Sequence, residues 1–569
     1  CLRQAPMVKT SFPGLPLMPA GKPPSRAHEP NGRTEVMRTH TATDPAKLLS
    51  SDCPLRFLAR ITLELETPLH IGTGQEWDES DAGVVLDPNG LPTIPLTSLI
   101  GVLREAFAKH TEDDNTTKEL FGWQGSNNKG EGIGQGSRLS GSFGCIHDAA
   151  NKPVYGLVPP ERFKLSAELA ATLSKRRMNG EEIPWQADDP DPVLAAALRP
   201  TLRDHARHNE CGVADRGEKS GGKFDELVVC TGHRFTFELE LIGRRGTDEA
   251  HWDDLFLLLA NPLTRVGGKS RRGLGRFRIL RVLRRTFDLA SGDFEDYADY
   301  DARLDVPIPA SEIEPRKWEE HSPKVTAPPC ITITLMPRFF WIFGTGEDIE
   351  GDSDRAPVRD QRIVWTNDVP DLRSNVLYLP GSGMKGALRH RAWFHAQAKF
   401  GHFADAPNED GLKNALTLIT GLFGNESDAK RAQLQPGILY PDDQFELVDA
   451  PVADLQYHNS IDRFTASARD HLLFDEKPLW RSGKEKVVTA AAQPGLQFTL
   501  QLRRTLEPSE AEVLTKCLDD LIHARLAIGG GSGRGNGFCD GRYESRADGV
   551  TTENSLGAVT RTPTPAGAP

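Results

Sequence analysis

Residues 379–389 read LPGSGMKGALR and residues 94–104 read IPLTSLIGVLR, and nine of these eleven positions are identical or similar in size. In both stretches a proline turn leads through small residues into a helical pattern. Leu99, Val102, Leu103, Ala106 and Phe107 recur at helical spacing in the first, Met384, Ala387, Leu388 and Ala392 in the second. A proline or small polar residue ahead of such a run marks a helix start, whose N–H groups can hold an anion. One copy describes a capped core helix. Two copies in matched surroundings describe a chain built twice.

The surroundings do match. Ahead of each helix is a short alternating strand, Ile61, Leu63 and Leu65 in one half and Ile331, Ile333 and Leu335 in the other. Polar loops, HIGTGQEWDESDAGVVLDPNGLPT and FGTGEDIEGDSDRAPVRDQRIVW, join strand to helix, and LFG follows at 120–122 and 422–424. Next come a strand with Phe235, Phe237 and Leu239 (Phe498, Leu500 and Leu502 in the second half), a helix and a glycine loop entering a final strand. The helix of the second half is expected to start at Ser509, with Glu512 at capping-box spacing. The fold class expected is α+β: two ferredoxin-like domains in tandem, the layout of RNA-recognition modules. The expected divisions are a flexible arm over 1–54, a first domain over 55–285 and an acidic linker over 286–329. A second domain over 330–544 and a disordered tail over 545–569 follow. Within the first domain, the glycine-rich stretch 124–142 reads as a flexible connection, and 159–208 as an insertion with two helical patterns.

Composition excludes several classes. With 38% hydrophobic and 26% charged residues, and no apolar run of membrane-spanning length, the sequence reads as a soluble cytoplasmic protein without a secretory signal. Eight cysteines form no CxxC pair and no zinc spacing, as expected of reduced thiols. A net charge of −12 argues against blanket nucleic-acid binding but leaves room for a local basic groove.

Such a groove is visible. The loops GGKSRRGLG (267–275) and GGGSGRGNG (529–537) align without a gap, and glycine lets backbone N–H groups approach a phosphate closely. A dinucleotide fingerprint is rejected, because that motif needs a strand before and a helix after, and here the order is reversed. From Arg265 to Arg285 there are nine basic residues and no acid, the electrostatic footprint of a phosphate backbone. The RNA-binding candidates in these loops are Gly267, Gly268, Lys269, Arg271 and Arg272, with Gly530, Gly531, Ser532 and Arg534. Candidates at the helix starts are Thr97, Ser98 and Arg104 in the first half, and Ser382, Lys385 and Arg389 in the second. Lys385 and Arg389 lie four apart on one helix face, whereas the first half has Ile100 where the second has Lys385.

RNA cleavage by the adjacent 2′-OH needs in-line geometry and a general acid or base, often with a divalent ion. The loops before each helix offer Asp78, Glu79, Asp81 and Asp87, and Asp348, Asp352, Asp354 and Asp360. A further stretch, HNSIDRFTASARDHLLFDE (458–476), is echoed in HNECGVADRGEKSGGKFDE (208–226). Asp462 and Arg463 are expected to pair and order an RNA-facing loop.

This ordered set resembles the RAMP superfamily of CRISPR-associated proteins, most closely the backbone (Cas-seven) subunits of type III effector complexes. The resemblance rests on His70-Ile71-Gly72, Ile94 to Arg104, Leu120-Phe121-Gly122, Asp215-Arg216 and Gly267 to Gly275. It rests equally on Gly344, Leu379 to Arg389, Leu422-Phe423-Gly424, Ile461-Asp462-Arg463-Phe464-Thr465 and Gly529 to Gly537. It implies a tandem fusion, III-D-like, that binds CRISPR RNA, interrupts the guide–target duplex with β-hairpin thumbs and cuts complementary target RNA. The cut would use a loop aspartate and a divalent metal, Mg2+ or Mn2+. The segments 159–208 or 440–457 would supply the thumbs. By the family's spacing the cutting residues would be Asp81, from Val84-Val85-Leu86-Asp87-Pro88, and Asp360, with Asp354 as rival. The implied partners are other RAMP backbone subunits, a large polymerase/cyclase-like subunit and small subunits. Two alternatives stay open: a non-catalytic RNA-binding scaffold, or a CRISPR RNA-processing endoribonuclease using His458 or His70.

Overall fold

The computed structural model describes residues 53–74, 83–126, 132–158, 191–206, 222–306, 314–316, 328–345, 353–425, 436–445, 452–470, 472–480, 496–547, 549–556 and 559–560. The first half contains β1 (Leu55–Leu65), α1 (Leu96–Thr111), α2 (Asp114–Phe121), β2 (Leu139–Gly141) and a hairpin of β3 (Thr201–Ala206) with β4 (Lys223–Val228). It closes with β5 (Arg234–Gly243), α3 (Asp248–Ala260) and β6 (Phe277–Asp288). The main sheet runs β6-β1-β5-β2, each neighbouring pair antiparallel.

The second half repeats the plan. After β7 (Cys330–Pro337) comes a hairpin of β8 (Arg359–Thr366) and β9 (Val369–Leu377), then α4 (Gly381–Lys399), α5 (Glu409–Phe423) and β10 (Leu439–Pro441). A short hairpin of β11 (Gln456–His458) and β12 (Phe474–Glu476) leads to β13 (Leu496–Leu502), α6 (Pro508–Ile522) and β14 (Phe538–Ala547). Its sheet runs β14-β7-β13-β10, again antiparallel. Thus each half is strand, helix, strand, strand, helix, strand, with the last strand beside the first.

The helical spacing read from the repeated motif does bury one face. Leu99, Leu103 and Phe107 of α1, and Met384, Leu388, Ala392 and Ala396 of α4, are buried in the two cores. The alanines keep α4 narrow where it packs against α5 and α6. In α6 the capping box is formed by Glu507 and Glu510 around Pro508, so the helix begins slightly before the Ser509 start expected.

Several stretches differ from expectation for one reason: they have something to pack against. Strand β1 is buried on both faces, because Arg56, Arg60, Thr62 and Glu64 are covered. The cover is the start of the expected linker. Arg60 donates to the Val306 carbonyl at 2.7 Å and to Glu238, Tyr300 donates to Glu238 at 2.7 Å, and Tyr297 and Tyr300 meet the Phe287 ring edge-on. Residues 314–316 add a strand beside β6. The expected disordered tail is ordered at its start, since β14 runs to Ala547 and pairs with 550–553. The supposedly flexible 124–142 holds a two-stranded hairpin (123–126 with 132–135) and β2. Of the 159–208 insertion, the described part is a short helix, Pro192–Ala197, followed by strand β3 rather than a second helix. The arm up to residue 52 and the expected Asp215-Arg216 pair lie outside the described residues.

Contacts join the described residues of both halves into one unit. The β8–β9 hairpin, expected to be loop, reaches from the second half onto the first. There the Ile363 N–H donates to the Thr231 carbonyl at 2.9 Å and the Trp365 indole to the Gly232 carbonyl at 2.7 Å. Gly232 has φ of +93°, and a Cβ there would lie 1.9 Å from the Ile363 oxygen, so only glycine permits this seam. Arg234 lies over the Trp365 ring and pairs with Asp368.

Candidate functional site

Both glycine loops are tight turns laid against the segment after the first strand. The Gly268 N–H donates to the His70 carbonyl (2.8 Å) and the Gly530 N–H to the Ile342 carbonyl (2.7 Å). At Gly267 and Gly529, both with positive φ, a Cβ would come within 2.4 and 2.2 Å of those same carbonyls. These glycines are therefore required by packing. Gly267 and Gly529 spend their special geometry on the fold, and the N–H groups of Gly268 and Gly530 are taken up by backbone carbonyls.

The same contacts align the aspartate loops. Val85 donates to the Ile71 carbonyl at 2.8 Å, and Val358 to the Phe343 carbonyl at 2.7 Å. Gly72 bridges Val84 as Gly344 bridges Pro357. Position 84 thus corresponds to 357, and Asp81, three residues earlier, corresponds to Asp354. Asp360 corresponds instead to Asp87, whose carboxylate accepts the Asn89 and Leu91 N–H groups inside its own turn. The spacing that favoured Asp360 misled because the β8–β9 hairpin in the second half displaces the pattern after the loop. Asp360 is buried, 3% exposed, with Arg203 on its carboxylate at 2.5 Å. A group so enclosed cannot meet a nucleic-acid backbone. Asp81 itself lies outside the described residues.

Asp354 is exposed and stitched to the β11–β12 hairpin. Its N–H donates to the Asp475 carboxylate at 2.8 Å, and its own carboxylate accepts the Asp475 N–H at 2.9 Å. One residue on, the Lys477 N–H donates to the Arg355 carbonyl at 2.9 Å. The neighbouring Glu476 is a hub that the sequence reading did not single out. Fully buried, it accepts from His458 at 3.1 Å, from Asn536 at 3.3 Å and from Arg534 of the glycine loop. The Phe474 ring stacks on His458 and lies 5.4 Å from the Arg534 guanidinium carbon.

The first half has the same device. Glu226, also fully buried, accepts from His205 at 2.8 Å and from Lys269 of its glycine loop, and the Phe224 ring stacks on His205 and lies 5.0 Å from the Arg272 guanidinium carbon. Burial, aided by the Arg272 cation, pushes the His205 imidazole down to about 4. The partner of His458 is thus His205, not the His208 that the sequence echo matched; hairpin register, with His205 opposite Phe224 and His458 opposite Phe474, decides it. His70 is buried and held by the Leu227 carbonyl at 2.8 Å, and burial lowers its basicity.

Beyond β11 the chain 459–473 carries an exposed finger. Phe464 is 95% exposed, Leu473 69% and Ile461 62%, an unusual outlay of apolar surface on a hairpin tip. Asp462 shapes it by accepting the Phe464 and Thr465 N–H groups, each at 2.9 Å, and sits 3.7 Å from Arg469 rather than pairing with Arg463, which is exposed.

The basic run 265–285 is mostly spent inside the molecule. Arg265 pairs with Asp442 at 2.5 Å and Arg276 with the same carboxylate at 2.7 Å; Arg271 donates to the Gly437 carbonyl and lies over Tyr440. Arg278, Arg284 and Arg285 pair with Glu64, Asp253 and Asp296. Lys385, expected on RNA, donates to the Arg271 carbonyl at 3.0 Å. The anion-holding start of α4 is filled from within, the Gly381 N–H donating to Asp443 at 2.8 Å while Arg203 holds that carboxylate. The first loop is thus a joint between halves. The second loop is open: Ser532 and Arg534 are exposed and Gly531 half-exposed, as are Thr97, Arg104 and Arg389 exposed, with Ser98 and Ser382 half-buried on the helix starts.

Among the described residues no group of three or more His, Cys, Asp or Glu side chains could enclose a metal ion. The clasped carboxylates of Asp354 and Asp475 are nonetheless hard oxygen donors, and one or two carboxylates suffice for magnesium when water and substrate phosphate supply the rest.

A model of the RAMP superfamily matches residues 62–278 and 341–540. Among solved structures, the chain is similar to a cryo-EM structure of the Type III-B Cmr-beta bound to cognate target RNA, at 13% identity over 42% of this chain and 63% of that one, with a TM-score of 0.25. The match thus spans less than two thirds of that relative. A second similar structure is the Type III-B Cmr-beta in the apo state, at 15% identity over 39% of this chain and 96% of that one, with a TM-score of 0.26. No curated protein matches the sequence significantly.

Proposed function

The chain belongs to the RAMP superfamily, matched once in each half, and from that premise we propose that it is an RNA-binding backbone subunit of a type III CRISPR effector complex that cuts target RNA. Both halves are read as ferredoxin-like, from the strand order and the antiparallel pairing. CRISPR RNA would follow the exposed second glycine loop and the helix starts. The partners would be complementary target RNA, other RAMP subunits, a large polymerase/cyclase-like subunit and small subunits. The β11–β12 hairpin, with Phe464 at its tip, serves as a thumb.

The observation that supports the cutting role is the matched bridges Gly72–Val84 and Gly344–Pro357, from which Asp81 and Asp354 each lie three residues upstream in sequence, with Asp354 exposed beside the hairpin. In the reaction the 2′-OH gives up its proton, its oxygen bonds to the adjacent phosphorus, and the bond to the 5′ oxygen breaks as that oxygen takes a proton. Asp354 accepts or relays the proton, and Asp475 fixes its loop. A divalent cation, Mg2+ or Mn2+, would neutralise charge on the phosphate, held by Asp354 and Asp475.

The test is target cleavage by the complex assembled with guide RNA and Mg2+. Asp81→Ala and Asp354→Ala are each expected to erase one cut and leave target binding intact, while Asp360→Ala erases none once corrected for folded protein. Unchanged cutting in both single variants and their double variant would leave the scaffold reading in place.

A further inference from the structure

The hairpin stem beside Asp354 has two faces. Alternation along β11 and β12 sends Gln456, His458, Phe474 and Glu476 to one of them, where His458 and Phe474 stack and Glu476 is buried. Tyr457 and Asp475, paired with each other, share the opposite face. The Asp475 N–H points out of the stem to the Asp354 carboxylate at 2.9 Å, as the Lys477 N–H does to the Arg355 carbonyl. A residue whose N–H leaves the ladder does not exchange it with its cross-strand partner. Tyr457 and Asp475 are therefore a non-hydrogen-bonded pair, the kind in which side chains stand closest. Asp354, Asp475 and Tyr457 thus follow one another across the stem, with Asp354 exposed and Tyr457 68% exposed.

This row has the dimensions of the cutting reaction. Transesterification at phosphorus sets the entering 2′ oxygen and the leaving 5′ oxygen on opposite sides, with a proton acceptor at one end and a donor at the other. Asp354 and Tyr457 lie two strand spacings apart, roughly 10 Å. That span holds a phosphorus with its two axial oxygens and a hydrogen bond of about 2.8 Å at either end. An ionised carboxylate only accepts, whereas a phenol carries an O–H to give. Asp475, between the two, is occupied by the Asp354 N–H at 2.8 Å. The first half has no such donor at this position. There the register sets Asp204 opposite Asp225, and Asp204 lies 3.4 Å from Lys223.

We propose that Tyr457 is the general acid of the cut made at Asp354, a role that rests on the reading of Asp354 as a cutting residue. Asp354 takes the 2′-OH proton and the 2′ oxygen bonds to phosphorus. The bond from phosphorus to the 5′ oxygen breaks, and the Tyr457 hydroxyl passes its proton to that oxygen. The products are a 2′,3′-cyclic phosphate and a 5′-hydroxyl; the phenolate regains a proton from water, and Asp354 releases one.

Tyr457→Phe, which keeps the ring and removes only the hydroxyl, tests this in the complex assembled with guide RNA and Mg2+. It is expected to slow the cut that Asp354→Ala erases by about 100-fold or more, with target binding and the cut assigned to Asp81 unchanged. A target with sulfur in place of the 5′ oxygen at that cut needs no proton on its leaving group. It should bring Tyr457→Phe back to the parent's rate and leave Asp354→Ala unrescued. A Tyr457→Phe variant that cuts as fast as the parent, or that the sulfur target fails to rescue, would overturn the proposal while the loss in Asp354→Ala still upholds the cutting role. Normal cutting by Asp354→Ala as well would overturn that role, and the proposal with it.

Discussion

Replacing Asp442 by alanine tests the joint most sharply. Its side chain is 2% exposed and holds Arg265, 1% exposed, and Arg276, 27% exposed. Removing one member of a buried pair strands the other, at a cost of about 3–5 kcal/mol. Arg276 keeps Glu66 at 2.7 Å and partial access to water, so its share is small, roughly 0–1 kcal/mol. The expected loss is therefore about 4 kcal/mol, nearly all of it Arg265 left charged in a dry contact. Urea unfolding followed by tryptophan fluorescence measures it, with the slope checked for an unchanged transition. The companion double variant, Asp442→Leu with Arg265→Met, removes both charges and keeps apolar volume. It should recover to within about 1 kcal/mol of the parent, because a buried ion pair is often no more stabilising than apolar side chains of similar size. A single variant within about 1 kcal/mol of the parent would refute the reasoning, since it would mean that water reaches Arg265. A double variant as unstable as the single would refute it in another way, by making the carboxylate's shape and not its charge the point.

Two further outcomes follow. Glu476→Gln removes the charge that holds Arg534 and His458 together, so hydrogen exchange should quicken across 529–537 and 456–476 while the first half is unaffected; unchanged exchange would strip Glu476 of its role as hub. Acid should destabilise the first half through His147 and His233, which burial pushes down to about 4 and about 3. The unfolded chain takes these protons below about pH 6.5 while the folded chain resists, so stability is lost as the pH falls from there toward 4. The slope approaches about 1.4 kcal/mol per pH unit for each histidine. His233→Leu, which removes a ring with neither nitrogen hydrogen-bonded, should flatten the acid limb, and an unaltered limb would count against the assignment.

What the sequence made legible is what depends on local pattern. The alternating strands, the helical faces of Leu99 and Met384 and the doubled order of elements all follow from periodicity, and all are present. What stayed hidden depends on which side chain finds a distant partner. Thr62 and Glu64 alternate as a solvent face would, yet Thr236, Arg234 and Arg278 cover them, while residues up to Val306 fold back over Arg60, which with Tyr300 partners Glu238. The basic run is conspicuous in one dimension, but only the fold shows that Asp442, some 166 residues beyond Arg276 in sequence, takes up two of its arginines. The aspartate position failed for a related reason. Counting back from the helix presumes equal loops, and the β8–β9 hairpin inserts length in one half alone. The bridges Gly72–Val84 and Gly344–Pro357 set the count instead, three residues back from Val84 and from Pro357, where the hairpin does not intervene. A repeat is therefore better aligned by its backbone bonds than by the motif that first revealed it. By that measure the halves differ less in their aspartates than in their loops: one loop is sealed into the joint, and the other faces outward.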